Sequence, residues 1–564
     1  MEYNKLYTAQ GRALPDIPWD RYPRPCLRRE HWLNLNGSWD FTVSDEDRLP
    51  TNYDRKILVP FAPESFLSGI GAHFGEDQRL CYRRSFALPA DFCGQRILLH
   101  FGAVDQTARV YLNGREAGYH EGGYLPFTIE ITDFLQDGEN TLEVLVSDDL
   151  RKLHFPYGKQ TLKRGGMWYT PVSGIWQTVW IEPVPRQYIP SLKIRTHSAQ
   201  VSIHTEDPSL EGTLTLEGQS YPLVKGKAEF SVATPQFWSP ENPKLYEFTL
   251  RCGEDRVESY FALRDLEIRK VDGLPRLCLN GKPYFFHGLL DQGYWSDGIY
   301  TPADLSCYEE DILRMKALGF NTLRKHIKIE PQQFYYDCDR LGMIVFQDMV
   351  NNGKYSFLRD TALPTVGIQK RNDRRRHKDP LLRKMFLESM EETVKLLGNH
   401  PALCYWTIFN EAWGQFESTA AYRMLKELDS SRFIDSTSGW FRCGESDVES
   451  LHIYFKPLKT VKTDKPLVLS EFGGFAWAPK EHSFNPHKVY GYAKYQDQAS
   501  FAEAVLELYE QKLLPLIKEG LCAAVYTQVS DVEDETNGIL TYDRAICKLR
   551  PEQMLPIAEK LKIK

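Results

Sequence analysis

Eight short apolar runs alternate with helical stretches from about residue 271 to Lys564. The runs are YFFHGLLD (284–291), FNTLRKH (320–326), MIVFQDM (343–349) and LCYWTIFNEA (403–412), then RFIDSTSG (432–439), ESLHIYF (449–455), PLVLSEFG (466–473) and CAAVYTQVSD (522–531). Helical candidates lie between most of them, at 304–318, 331–341, 383–397 and 498–519. Eight such pairs in about 290 residues is the size of a (β/α)8 barrel. A doubly wound sheet would also alternate. It usually carries a Gly-rich phosphate turn after its first strand, and none follows Asp291.

The sequence before this region has a different texture. Residues 1–185 hold short strand-like runs of alternating polarity, among them RRSFAL, RILLHF, ARVYLNG and NTLEVLVSD. Turn pairs such as Asn113-Gly114, Gly122-Gly123 and Asp137-Gly138 separate them. This predicts a β jelly-roll sandwich over 1–185. A Pro-flanked stretch, Val184-Pro185 to Ile189-Pro190, reads as a linker. Residues 186–270 continue with strands of the size and spacing of a small immunoglobulin-like β-sandwich. The expected architecture is therefore multidomain, with the (β/α)8 TIM barrel over 271–564.

Charge and cysteine usage narrow the function classes. Lys+Arg is 69 against 76 Asp+Glu, a net charge of −7. Phosphate recognition needs a basic excess, so no nucleic-acid partner is expected. The eleven Cys are scattered with no CxxC pair, so no zinc site is expected and a reducing compartment fits. The N-terminus lacks the apolar core of a signal peptide, and no run reaches the roughly 18 residues needed to cross a bilayer. The reading is a soluble, cytoplasmic protein with no membrane partner, and a homo-oligomer is compatible with it.

In a barrel of this kind, reacting groups sit at the C-terminal ends of the strands. Those ends carry Asp291, His326, Asp348, Asn410-Glu411, Ser438, His452-Tyr454, Glu471 and Tyr526/Gln528. One or two polar strand ends are ordinary capping; eight converging on one face suggest a site for a small polar ligand. Glu411 and Glu471 each follow strongly apolar strands, the fourth and seventh, on opposite walls of the barrel. Two carboxylates about 5 Å apart, one protonated and one ionised, are what retaining glycoside hydrolysis requires. Two unrelated strand-end salt bridges are the plainer alternative. Trp413 and Trp477 follow these glutamates closely and suit the apolar faces of a sugar ring, or else pack on the barrel rim. His326 shares their face and could hydrogen-bond a sugar hydroxyl. His287 lies inside strand one and reads as core.

Six segments in order resemble glycoside hydrolase family 2, which contains β-galactosidases, β-glucuronidases and β-mannosidases. They are RPCLRREHWLNLNGSWDF (25–42), VPFAPESFLSGIG (59–71), YTPVSGIWQTVWIEPVP (169–185), FWSPENPKLYEFTL (237–250), GNHPALCYWTIFNEAWGQF (398–416) and VLSEFGG (468–474). The resemblance implies that Glu411 is the general acid/base and Glu471 the nucleophile. It also implies that Asn410 binds the sugar 2-hydroxyl, that Tyr454 orients the nucleophile and that His326 contacts the sugar. Asp291 and Asp348 fall at plausible hydroxyl-binding positions. Tyr526 and Gln528 fall where many members carry a strand-eight Trp.

The resemblance leaves the sugar to be decided. Family glucuronidases hold the substrate carboxylate with an Asn-x-Lys motif after strand eight. Here Asn537-Gly538-Ile539 lacks the Lys, and the Asn280-Gly281-Lys282 match lies at the wrong end of the barrel. The expectation is therefore a retaining exo-β-glycosidase acting on β-D-galactosides. A glucuronidase, galacturonidase or other family specificity (mannoside, arabinopyranoside) is the alternative, and a carbohydrate-binding protein with a dead barrel the contrasting class. The basic loop KRNDRRRHK (370–378) reads as a solvated run, or else as an anion clamp. The partner is an oligosaccharide or glycoside, and no cofactor and no metal is expected: QDMVNN after strand three has Asp348 but no His. The chain stops soon after strand eight, so the extra C-terminal domains of the largest family galactosidases are not expected.

Overall fold

Alternating polarity along the N-terminal strands translates directly into two-faced sheets. Thr107–Leu112 buries Ala108, Val110 and Leu112 and turns the residues between them outward. The computed structural model describes residues 3–92, 95–366, 368, 373–454 and 456–563. Its first unit packs a six-stranded antiparallel sheet on a four-stranded one. The first runs in the order Arg55–Val59, Gly37–Ser44, Arg79–Ala87, Glu139–Ser147, Thr107–Leu112, Arg115–Glu121. The second is Leu33–Asn34, Val179–Val184, Arg96–Phe101, Phe127–Glu130. Trp39, Phe41, Tyr82, Leu99, Val110 and Val144 fill the space between them.

The second unit packs a three-stranded sheet (Leu192–His197, Gln200–Thr205, Lys227–Ser231) on a four-stranded one. The latter orders Gln219–Leu223, Gly212–Leu216, Tyr246–Cys252 and Asp255–Phe261. A buried ion cluster joins the two units. Glu182 accepts from Arg24 (2.7 Å), Arg29 (3.3 Å), the Tyr22 hydroxyl (2.7 Å) and the Trp180 indole (2.6 Å). Arg29 continues to Asp255 at 2.8 Å.

The barrel strands are β1 (Phe286–Asp291), β2 (Thr322–Lys325), β3 (Ile344–Asp348), β4 (Leu403–Asn410), β5 (Phe433–Ser438), β6 (Glu449–Ile453), β7 (Leu467–Gly473) and β8 (Leu521–Thr527). They form one parallel sheet in the order β5-β4-β3-β2-β1-β8-β7-β6. Helices cover one face and the lumen the other, so nearly every strand residue is buried and the runs read as continuously apolar. No backbone ladder links β5 to β6 among the described residues. Side chains close that seam: Ser438 Oγ lies 2.8 Å from His452 Nε2 and 3.0 Å from Ser470 Oγ.

The helical expectation over 498–519 breaks into Gln498–Glu507, a wider turn Leu508–Leu513 and Leu514–Ile517. Pro515 has no N–H with which to continue the i→i−4 ladder. β8 ends at Thr527 rather than at 531, which matters for the site below.

One segment of the jelly-roll unit, 148–173, crosses to the C-terminal face of the barrel and is stitched to it. Gly353 N–H donates to Leu153 O (2.7 Å) and Tyr157 N–H to Asn351 O (3.0 Å). The Tyr157 hydroxyl donates to Gly353 O (2.7 Å), and Thr170 N–H to Glu533 (2.9 Å). This segment therefore forms a wall of the barrel mouth. No helix of the described residues is long and apolar enough to cross a membrane.

Candidate active site

β4 buries all of Leu403–Asn410 and carries no carboxyl of its own; Glu411 appears where the chain leaves the sheet. It leaves sharply. Glu411 and Ala412 adopt left-handed backbone, with φ of 47° and 67°. Non-glycine residues hold that conformation only where the surroundings enforce it. Here the Glu411 N–H is fixed by Ser438 O at 2.8 Å. Glu471 is positioned differently, inside β7, where the ladders to β6 and β8 both shift register. Such bulges re-aim a side chain. One oxygen of each glutamate and a ring nitrogen of His452 all lie within 4.8 Å of one another.

Arg324 of β2 organises the floor beneath the two glutamates. Its Nη1 donates to Glu471 Oε1 (3.0 Å), its Nη2 to Asn410 Oδ1 (2.9 Å) and its Nε to Asp348 Oδ1 (2.9 Å). Asp348 Oδ2 holds His326 Nδ1 at 2.7 Å. The Tyr454 hydroxyl donates to Glu471 Oε2 (2.5 Å) and lies 2.9 Å from Thr527 Oγ1. His452 Nδ1 is 2.8 Å from Glu411 Oε1 and 3.4 Å from Glu471 Oε2. Its Nε2 faces the Arg324 guanidinium at 3.4 Å, which can only donate, so the proton is assigned to Nδ1 and points at Glu411.

These neighbours give the two carboxyls different characters. Burial pushes Glu411 up to about 7, with Lys159 and Arg324 opposing only in part. Glu471 is raised by burial and by the neighbouring Glu411 charge, while Arg324 and Tyr454 favour its ionised form. When Glu411 takes the proton its repulsion disappears, and Arg324 and Tyr454 then hold Glu471 as carboxylate. His326 and His452 are lowered to about 3 and about 4, first by burial, so both rings are neutral. Burial would raise Asp348, but Arg324 and His326 outweigh it and hold it low. Glu411, His452 and Glu471 could offer ligands to a metal ion, but both oxygens of Glu471 already accept from Arg324 and Tyr454.

Three domain models of one family match consecutive parts of the chain. They are the sugar binding domain of glycosyl hydrolases family 2 at 71–185, a second family 2 domain at 190–264, and the family 2 TIM barrel domain at 270–547. The chain belongs to glycosyl hydrolase family 2. A β-galactosidase of Aeromonas hydrophila is 28% identical over 483 residues, covering 76% of this chain and 44% of that protein. The chain thus spans less than half the length of that relative. Among solved structures, an uncultured Clostridium β-glucuronidase superposes with a TM-score of 0.73 at 18% identity, covering 97% of this chain and 99% of that one. A β-galacturonidase of Eisenbergiella tayi bound to galacturonate gives 0.68 at 17%, covering 97% and 99%. At these identities the solved structures speak for the fold.

Not every strand-end residue of this family 2 chain reaches the mouth. Glu411, Glu471, Asn410, Tyr454, His326 and Asp348 come together, and Trp413 lies beside His326 with ring centres 6.2 Å apart. Asp291 does not join them. It stands in register with Lys325, pairs with it at 2.7 Å, and the Lys325 ammonium lies over Phe334 of the outer helix Gln332–Leu341. Tyr526 also faces outward, between Phe472 and Tyr509, and its hydroxyl accepts from Phe475 N–H. Its neighbour Thr527 is the β8 residue that reaches Tyr454, because successive strand residues face opposite ways. Gln528 is locked between Gln292 and Asn537, both at 2.8 Å. Trp477 is half-buried and packs against the barrel core. His287 is core, held by Gly319 O (3.0 Å) and the Tyr509 hydroxyl (3.2 Å).

The basic loop divides. Residues 370–372 lie outside the described residues, and Arg374 and Arg375 are exposed. Arg376 is buried, paired with Asp360, and donates to Ala412 O beside Glu411 at 3.3 Å. Sequence reasoning missed Arg324 and Lys159. Arg324 was visible as a cation inside an apolar strand, in LRKH. Lys159 comes from the 148–173 segment, with its Nζ 4.7 Å from the Trp413 ring centre and 5.9 Å from that of Trp168. No spacing in the chain connects it to the barrel.

Proposed function

We propose that this chain is a retaining exo-β-glycosidase that hydrolyses terminal β-linked hexopyranosides by double displacement. The observation that carries this is the buried pair Glu411 and Glu471, within 4.8 Å across the mouth and in unequal surroundings. That separation leaves no room for a water between the carboxylates and the sugar, which an inverting enzyme needs. Glu471, ionised, attacks the anomeric carbon. Glu411, protonated below about pH 7, gives its proton to the leaving oxygen. Glu411 then takes a proton from water, whose oxygen displaces Glu471 and releases the sugar with its β configuration.

Surrounding groups fit that course. Arg324 fixes the Asn410 amide by its oxygen, leaving Nδ2 buried without a protein partner and free to donate to the sugar 2-hydroxyl. Neutral His326 is anchored by Asp348 through Nδ1, which leaves Nε2 for a hydroxyl. The 148–173 wall supports cleavage at a chain end.

Glu411→Ala tests the assignment. An acid that protonates the leaving oxygen matters most for poor leaving groups. The variant should lose roughly 10²–10⁴-fold on an alkyl glycoside and far less on a dinitrophenyl glycoside. Azide should restore it, giving the β-glycosyl azide. Equal losses on both substrates with no azide product would show that Glu411 is not the acid.

A further inference from the structure

We infer that Lys159, contributed by the jelly-roll unit, is the anchor for a carboxylate on the glycone, so that hexuronides are the preferred substrates of this site. The inference rests on the glycosidase reading above and extends it to the sugar. Lys159 is 5% exposed, and among the described residues no carboxylate pairs with it. Among the described residues, other buried cations of the barrel unit are committed to partners. Arg324 serves Asp348, Glu471 and Asn410; Arg376 serves Asp360; Lys325 and Lys328 both serve Glu330. Glu535 is also near Lys159, but it accepts from the Tyr169 hydroxyl and from Asn537 Nδ2 (2.9 Å).

Burial lowers the Lys159 ammonium, with Glu535, Glu471 and Glu411 pulling the other way. His326 feels its charge as well. Nζ lies 4.7 Å from the ring centre of Trp413, which follows Glu411 by two residues and whose ring centre is 6.2 Å from that of His326, so the ammonium stands at the same mouth as the two glutamates. It lies against the faces of Trp413 and Trp168, which shield it from water. A desolvated ammonium gains most from a full negative charge with hydrogen-bonding oxygens, and a hydroxyl supplies only a dipole. The expectation of a neutral sugar rested on the missing Lys after strand eight. Lys159 brings a cation to the same mouth from another part of the chain.

The test compares the wild-type chain with Lys159→Met and Lys159→Gln, both checked for folding by circular dichroism. Substrates are the p-nitrophenyl β-D-glucuronide, β-D-galacturonide and β-D-galactoside; ligands for calorimetry are free D-glucuronate, D-galacturonate and D-galactose. A charge-assisted contact predicts that one uronide exceeds the galactoside in kcat/KM by at least about tenfold, and that both variants erase most of that ratio. The matching uronate should bind more tightly than galactose to the wild type and lose that advantage in the variants. A galactoside preference, or a ratio that neither variant changes, overturns the inference and leaves the glycosidase reading intact. Uronate binding that depends on Lys159, with no glycoside turned over, would uphold the anion site and refute the glycosidase reading.

Discussion

Tyr454→Phe removes one hydroxyl and, with it, a 2.5 Å hydrogen bond to Glu471. The ring should stay in place, because it stacks on Tyr492 with centres 3.9 Å apart. The lost bond favours the ionised carboxylate. Hydrogen bonds to charged groups are worth about 1.5–3 kcal/mol. At about 1.4 kcal/mol per pH unit, the folded Glu471 then titrates roughly one to two units higher. Glu471 must be ionised to attack, so the acid limb of the kcat/KM profile moves up by that amount. The alkaline limb, set by Glu411 at about 7, stays where it is. The window between the limbs narrows and the maximum falls. The plateau loss should be smaller than the full hydrogen-bond energy, since the carboxylate charge is already fading in the transition state. The assay is a pH profile with an aryl glycoside that the wild type cleaves. An acid limb that does not move, at an undiminished rate, would show that Tyr454 does not act on the nucleophile.

Two further outcomes follow from buried charge. With a dinitrophenyl glycoside, whose departure needs no acid, Glu411→Ala should abolish the alkaline limb near pH 7. Glu182 is lowered from 4.5 to about 2: burial opposes ionisation, but Arg24, His100 and Arg29 outweigh it. Because the folded value is depressed, its stabilisation is present above about pH 4.5 and is lost as pH falls toward 2, a span worth about 3 kcal/mol. Glu182→Gln should therefore lower Tm at pH 7, and the gap to wild type should narrow steadily as pH falls from 4.5 toward 2. A gap independent of pH would refute that role.

The barrel was legible because both faces of its strands are covered, one by helices and one by the lumen, so each strand reads as an apolar run. For the same reason Glu411 and Glu471 stood out, as carboxyls placed where such runs end. What the strand ends could not reveal was parity. Asp291 beside Lys325, and Tyr526 before Thr527, face the outer layer, and a shift of one residue moves a side chain from the lumen to the helices. Arg324 was hidden for another reason: its charge lies inside a strand and is explained only by Asp348, Glu471 and Asn410 arriving from β3, β7 and β4. Lys159 reaches the site through hydrogen bonds that stitch 148–173 to the loops after β3 and β8. No local pattern announces a contact made between separate units.

The central claim is a covalent sugar on Glu471, and trapping it is the direct measurement. A 2-deoxy-2-fluoro sugar with a good leaving group slows both steps, and the leaving group speeds the first, so the glycosyl-enzyme accumulates. The wild-type chain should be treated with the 2-fluoro galactosyl and glucuronyl fluorides, digested, and mapped by mass spectrometry. The account predicts a single adduct, on Glu471 in the peptide around VLSEFGG, formed with loss of activity and absent in Glu471→Gln. An adduct on Glu411 or any other residue, or inactivation without an adduct, would contradict it.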